Sequence, residues 1–163
     1  MPSEIKRTFK IEPMNFEKEK DSFLKEFVKN TLAEDVRDGD HTSLACINPN
    51  EKTKAKLLVK DVGVLAGVEV AKHFFAAVDP DYKMDVFLDD GSDIKFGDIA
   101  FEVECNSQAL LVAERSVLNT MQRMSGIASM SNRFAFEVED LPVKVLDTRK
   151  TTCLLYTSPS PRD

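Results

Sequence analysis

Apolar positions along the chain follow two rhythms, and the places where the rhythm changes mark the elements. From Ser22 to Glu34, Phe23, Phe27 and Thr31, with the pair Leu24 and Val28, recur at three- and four-residue spacing, which predicts a helix with one packed face. Ser22, which follows Asp21, is its expected N-cap. Between Thr53 and Leu65 the period drops to two. Ala55, Leu57 and Val59 alternate with Lys54, Lys56, Leu58 and Lys60, so one strand face is expected to be buried. Gly63 and Gly67 bracket Val64-Leu65-Ala66 and predict a turn with a close backbone approach. A helix over Gly67–Val78 follows, with Val70, Phe74 and Ala77 inward and Pro80 as its stop. Strands are expected at Lys83–Leu88 and Ile99–Glu104, separated by the turn signals Asp89-Asp90-Gly91-Ser92 and Lys95-Phe96-Gly97-Asp98. A single long helix then runs from Gln108 to Val138, with Ser107 as its cap and Leu110, Ala113, Val117, Met121, Met124 and Ala128 as its core stripe. Ser125-Gly126 marks a kink or a close approach within it. After Pro142, Val143–Leu146 predicts a short strand.

Short strands around a helix predict an α+β sandwich that ends near Ser107, preceded by a polar arm over residues 1–21. A length of 163 residues, 42% of them hydrophobic and 31% charged, fits one soluble domain or one and a fraction. The net charge of −6 argues against a nucleic-acid partner, and any anionic ligand must be drawn by a local cluster of cations. Cys46, Cys105 and Cys153 show no metal-ligand spacing and are expected as reduced thiols in the cytoplasm. No signal peptide and no apolar run long enough to span a membrane is evident.

Two places carry candidate chemistry. At the carboxyl end of the expected strand stands Asp147-Thr148-Arg149-Lys150-Thr151-Thr152, where a guanidinium, an ammonium and hydroxyls gather at the end of a strand at which α/β folds bind ligands. Arg offers a planar fork to a carboxylate or phosphate, and Lys adds a point charge. On the long helix, Arg115, Asn119 and Gln122 share a face at i, i+4 and i+7, a cation and two amides able to address a polar ligand. A solvated turn and a solvated helix face are the plain alternatives. Asp38, Asp40 and Thr42 alternate like the start of a calcium loop, but Ser43 stands where that loop needs Gly and Pro49 where it needs Glu. Turn chemistry is the expected role of these Asp residues, and a structural role that of His41 and His73.

Glu114-Arg115-Ser116-Val117-Leu118-Asn119, Gln122-Arg123-Met124-Ser125-Gly126-Ile127-Ala128 and Asp147-Thr148-Arg149-Lys150-Thr151-Thr152, in this order and spacing, resemble quinolinate phosphoribosyltransferase, also called nicotinate-nucleotide pyrophosphorylase (carboxylating). Glu34-Asp35, Gly39-Asp40-His41-Thr42 and Leu65-Ala66-Gly67 match more weakly, and the resemblance covers about residues 20–152. It implies an α/β sandwich related to barrel-sandwich hybrids, followed by an incomplete α/β barrel. The implied division is 22–107 for the sandwich and 108–152 for the long helix and first barrel strand. It also implies transfer of a phosphoribosyl group from phosphoribosyl pyrophosphate, with Mg²⁺, to quinolinate, giving nicotinate mononucleotide, pyrophosphate and CO₂ on the way to NAD. By the same resemblance Arg149 and Lys150 hold quinolinate, and Thr148 and Thr151 add hydroxyl or backbone contacts. Arg115 reaches into the neighbouring subunit's site, so a homodimer is the expected working unit.

Where the family continues with Pro-Gly, this chain reads Cys153-Leu154-Leu155-Tyr156-Thr157-Ser158-Pro159-Ser160-Pro161-Arg162-Asp163, which looks like a translated sequencing-library adapter and is taken as foreign. The family's later basic residues, its acidic residues for the metal–pyrophosphate and its phosphate loops fall beyond that point. The 163-residue chain is therefore expected to be inactive alone and loosely packed or poorly soluble beyond about residue 110, because its apolar stripe lacks a partner. Rival readings are a nicotinate phosphoribosyltransferase or a molybdenum-associated paralogue of the same fold. A third is a lipoyl- or biotinyl-carrier-like module built on the hairpin around Lys95, whose neighbours Ile94 and Phe96 depart from the carrier signature.

Overall fold

The computed structural model describes residues 16–143 and 145–146. In chain order its elements are α1 (Phe16–Val36), α2 (His41–Cys46), β1 (Lys52–Leu58), β2 (Gly63–Val64), α3 (Val68–Val78), β3 (Lys83–Val86), β4 (Asp93–Ile94), β5 (Ile99–Asn106) and α4 (Ser107–Glu137). Helix α1 begins six residues before Ser22, so Ser22 lies inside it and is not its cap. The run Glu17-Lys18-Glu19-Lys20 is polar, which looks like an arm, but these are strong helix formers.

A mixed α/β arrangement results. β5 lies between β1 and β3 in an antiparallel three-stranded sheet, and β2 and β4 form a separate antiparallel pair. The expected single strand over 53–65 is thus divided, with a register shift at Leu57/Leu58. Alternation sorts the large sheet into two faces. Lys54 opposes Glu104 and Lys56 opposes Glu102 on the outer face, with ion pairs of 3.0 and 2.8 Å. Phe101, Val103 and Cys105 turn inward and are buried. Burial and the nearby Asp79 carboxylate push the Cys105 thiol up, as suits a small core hydrophobe.

Helix α3 fills the space behind this sheet. Val70 and Phe74 are buried as expected, but Ala77 is exposed and Ala71 and Phe75 take up the inner face instead. Phe75 meets Phe101 of the sheet edge-on at 6.2 Å, and Phe74 meets Phe27 of α1 edge-on at 6.1 Å. Leu24 and Val28 complete the seam between α1 and the core. His73 ties the same two helices together: Nδ1 lies 2.9 Å from the Glu69 carbonyl oxygen and Nε2 3.3 Å from an Asp21 carboxylate oxygen.

Turn and cap chemistry holds the connections. Asp90, in the turn before β4, caps the first turn of α3 by accepting from the Val68 N–H at 2.8 Å and the Glu69 N–H at 3.2 Å. The cap of α4 is Asn106, whose side-chain oxygen accepts from the N–H groups of Gln108 and Ala109, and not Ser107. Asn106 is itself held by Asp79, whose carboxylate accepts its N–H at 2.8 Å and that of Asp81 at 2.9 Å.

Helix α4 runs unbroken through Ser125-Gly126. Ser125 serves close approach, the second of the two expected roles, whereas a Cβ built on Gly126 would meet nothing within 4 Å. The Ser125 hydroxyl accepts from the Ala66 N–H at 3.0 Å and lies 3.2 Å from the Ala66 carbonyl oxygen. The Ser129 hydroxyl accepts from the Val64 N–H at 2.9 Å and donates to the Ser125 carbonyl at 2.7 Å. Gly63 makes room for this seam, since a Cβ there would stand 2.2 Å from the Ser129 hydroxyl oxygen. Gly67, at φ +104°, starts α3 in the left-handed region beside Met121. Among the described residues no barrel is closed. Val143, Val145 and Leu146 are exposed and belong to no strand among the described residues.

Candidate functional site

Of the expected site residues, Arg115 lies within the described chain, whereas Thr148, Arg149, Lys150 and Thr151 lie outside it. Ser116 and Val117 on one side of α4 are buried in the sandwich, which turns Arg115 to the opposite side, into solvent. Its guanidinium makes no hydrogen bond or ion pair among the described residues. It lines an open cavity of about 430 Å³ together with Leu111 and with Asp35 at the end of α1, Asp40 in the α1–α2 connection and His41 and Thr42 at the start of α2.

That connection is built by local chemistry. Asp40 caps α2: its carboxylate accepts from the Ser43 N–H at 3.1 Å and from the Ser43 hydroxyl. The Ser43 hydroxyl and then the Ser43 N–H hold the Asp40 carboxyl below its usual range. Asp40 therefore serves turn chemistry, as the sequence predicts. His41 is exposed and stands 3.5 Å from Asp38, at the limit of a useful contact. Among the described residues no three His, Cys, Asp or Glu side chains converge where a metal ion could sit.

Asn119 and Gln122 are exposed on the face that carries Arg115, and neither has a hydrogen-bond partner among the described residues. Chemically this side of α4 offers charge and amide groups that nothing within the described chain uses. The serine seam that fixes α4 against β2 is not legible in the sequence as a specific contact, because its partners are 59 and 65 residues apart. The pairing of small residues, Gly63 and Gly67 with Ser125-Gly126, was its only signal. Lys95 lies exposed at a tight turn in which its own N–H donates to the Asp98 carboxylate at 3.0 Å.

The family model for the quinolinate phosphoribosyl transferase N-terminal domain matches residues 40–125. The chain is 40% identical over 129 residues to quinolinate phosphoribosyltransferase [decarboxylating] 2b, mitochondrial, of Nicotiana tabacum; the match takes in 78% of this chain and 36% of that protein. It is 33% identical over 129 residues to the probable nicotinate-nucleotide pyrophosphorylase [carboxylating] of Bacillus subtilis, with 79% of this chain and 44% of that protein matched. Among solved structures, that of NadC from Streptococcus pyogenes superposes with a TM-score of 0.79 at 34% identity, over 82% of this chain and 48% of that one. The chain thus spans less than half the length of these relatives, on the side that precedes the expected barrel. Both the aligned sequence and the superposed backbone place it in one group: the chain belongs to the quinolinate phosphoribosyltransferase family.

Proposed function

We propose that this chain supplies the front part of an enzyme that transfers a phosphoribosyl group to quinolinate with loss of CO₂. In that reaction the pyridine nitrogen bonds to the ribosyl carbon as pyrophosphate leaves. The carboxylate beside that nitrogen departs as CO₂, and the electron pair it leaves behind takes up a proton. Its two-part organisation is a sandwich over 22–107 and the beginning of a barrel over 108–152, with α4 belonging to both. The observation that carries this reading is Arg115, which stands on the helix the family model reaches, solvent-facing and without a hydrogen-bond or ion-pair partner among the described residues. A dianionic pyridine needs cations, and each hydrogen bond to a charged group contributes roughly 1.5–3 kcal/mol. Arg149 and Lys150 provide two more cations, with Thr148 and Thr151 as neutral donors, and Arg115 completes the set from the neighbouring subunit of a homodimer. Positioning and charge stabilisation of a ribosyl-cation-like transition state carry the chemistry.

Mg²⁺ accompanies phosphoribosyl pyrophosphate. By the family resemblance its ligands are assigned to the barrel part of the enzyme. No helix of the described residues is long and apolar enough to cross a membrane. The free thiols of Cys46 and Cys105 support a cytoplasmic location.

The test is an assay of the chain extended to the family's full length. With phosphoribosyl pyrophosphate and Mg²⁺, quinolinate should give CO₂ and nicotinate mononucleotide, and nicotinate should give no product. Arg115→Ala should lower kcat/KM for quinolinate by about 10- to 150-fold, the loss of one charge-assisted contact. Turnover of nicotinate in place of quinolinate would move the protein to the rival activity of the same fold.

A further inference from the structure

Beyond Arg115, the same side of α4 carries features that the assignment of quinolinate leaves unused. From Arg115 through Phe136 the sequence holds three arginines, Arg115, Arg123 and Arg133, and no aspartate or glutamate. In a chain of net charge −6 this stretch alone is +3. Asn119 and Gln122 stand exposed beside Arg115 and make no hydrogen bond among the described residues. At 1.5 Å of rise per residue, the two amides lie about 6 Å and about 10 Å along the axis from Arg115. That is more than a single pyridine ring needs.

Their chemistry differs from that of the arginine. A guanidinium only donates, which suits carboxylates. A carboxamide donates through its NH₂ and accepts through its oxygen. It therefore matches a ligand that presents hydroxyl donors next to anionic oxygens, which a dicarboxylate lacks and a phosphorylated ribose has. We infer that Asn119 and Gln122 are specificity residues for the phosphoribosyl substrate, forming with Arg115 one strip of α4 that lines the neighbouring subunit's site. The inference rests on the proposed function, for Arg115 must reach that site if its helix neighbours are to reach it too. Arg115 supplies the charge that draws the co-substrate, and the amides select its hydroxyl-bearing part.

Kinetics of the full-length dimer test this. Each substrate is varied against saturating amounts of the other for Asn119→Ala, Gln122→Ala, Gln122→Glu and Arg115→Ala. Asn119→Ala and Gln122→Ala should raise KM for phosphoribosyl pyrophosphate about three- to tenfold, the effect of losing one neutral hydrogen bond, with little change in KM for quinolinate. Gln122→Glu keeps the shape, loses the donor and adds a repulsive charge, so its rise should be larger and should shrink as salt is added. All three positions are exposed, and unchanged thermal unfolding checks the fold. If both alanine variants keep wild-type constants while Arg115→Ala loses activity, the strip is refuted and the proposed function stands. If their effect falls on quinolinate alone, the ribosyl assignment is refuted. If Arg115→Ala is also fully active, the proposed function fails as well.

Discussion

Helix α4 is one continuous element with two halves in opposite circumstances. Its first half buries Ala113, Ser116, Val117 and Met121 against the sandwich. In its second half Met130 is 50% exposed, Phe134 60% and Phe136 75%, and no residue beyond Met121 is fully buried. The apolar content of the two halves is similar, so the difference lies in what covers them. Periodicity records which face of a helix is meant to be covered. It does not record whether the cover comes from the preceding sandwich, from a later part of the chain or from another copy. An uncovered face with this many large side chains favours association.

The sharpest way to break this comparison is a matched pair of substitutions in the same helix. Met121→Ala removes a side chain that is 3% exposed and should cost about 2–5 kcal/mol, because it leaves a cavity between α3 and α4. Met130→Ala removes the same side chain from a half-exposed position and should cost less than about 0.5 kcal/mol. Chemical denaturation of both variants measures the two values. Equal losses would mean that the second half is covered after all.

The serine seam is the boundary between the halves. Gly63→Ala drives a Cβ to within 2.2 Å of the Ser129 hydroxyl, so either that hydroxyl or the β2 backbone must shift. The expected cost is about 1–3 kcal/mol, the range for overpacking. Combining it with Ser129→Gly, which removes both the hydroxyl and the Cβ, should recover part of that loss in a double-mutant cycle. Strict additivity would mean the two residues do not meet.

Much of this was legible from the sequence, and the failures have physical causes. The α4 stripe as far as Met121, the helix after Gly67 and the turn at Asp89–Ser92 follow from local periodicity and local turn chemistry, and these are present. The start of α1 is not legible because a run of Glu and Lys is at once polar, which looks like an arm, and a strong helix former. Ser107 and Asn106 are both candidate caps of α4, and it is Asn106, one residue earlier, that accepts the helix N–H groups. Both residue types cap well, and only the backbone geometry chooses between them. Val143–Leu146 has the composition of a buried strand, yet Val143, Val145 and Leu146 are exposed among the described residues, and composition does not say which partners a ladder will find. Arg115 was legible as a candidate by resemblance and by its polar helix face. Its cavity-mates Asp35 and His41 were not, since they lie more than seventy residues away in sequence.

Within the covered half, acid should act through Asp79, which is 9% exposed. The N–H groups of Asn106 and then Asp81 lower its pKa below the ordinary aspartate value. The charged form is thus favoured in the folded state. The resulting stability is fully present above the unfolded value of about 4. It is lost as pH falls through the lower folded value. Asp79→Asn should flatten the acid side of the stability–pH curve below about pH 4 and cost about 1–2 kcal/mol at pH 7, the effect of weakening charge-assisted contacts. An unchanged acid limb would assign the acid response to other carboxylates.

The smallest expected effect is also the one that reads the uncovered half most directly. Gly126 sits inside α4, and a Cβ built on it meets nothing within 4 Å. Its backbone is helical, so no positive φ requires glycine there. Glycine in a helix interior costs about 0.8–1.0 kcal/mol relative to alanine. Gly126→Ala should therefore stabilise the 163-residue chain by up to about 1 kcal/mol, seen as a rise in the denaturation midpoint with an unchanged slope. In the full-length protein the same methyl group should be neutral or destabilising if a downstream segment or a second copy approaches the helix at this point. A change of sign between the two chains would locate a close contact on the second half of α4. The same gain in both would leave Gly126 in open solvent and confine the covering partner to the side that carries Met130 and Phe134.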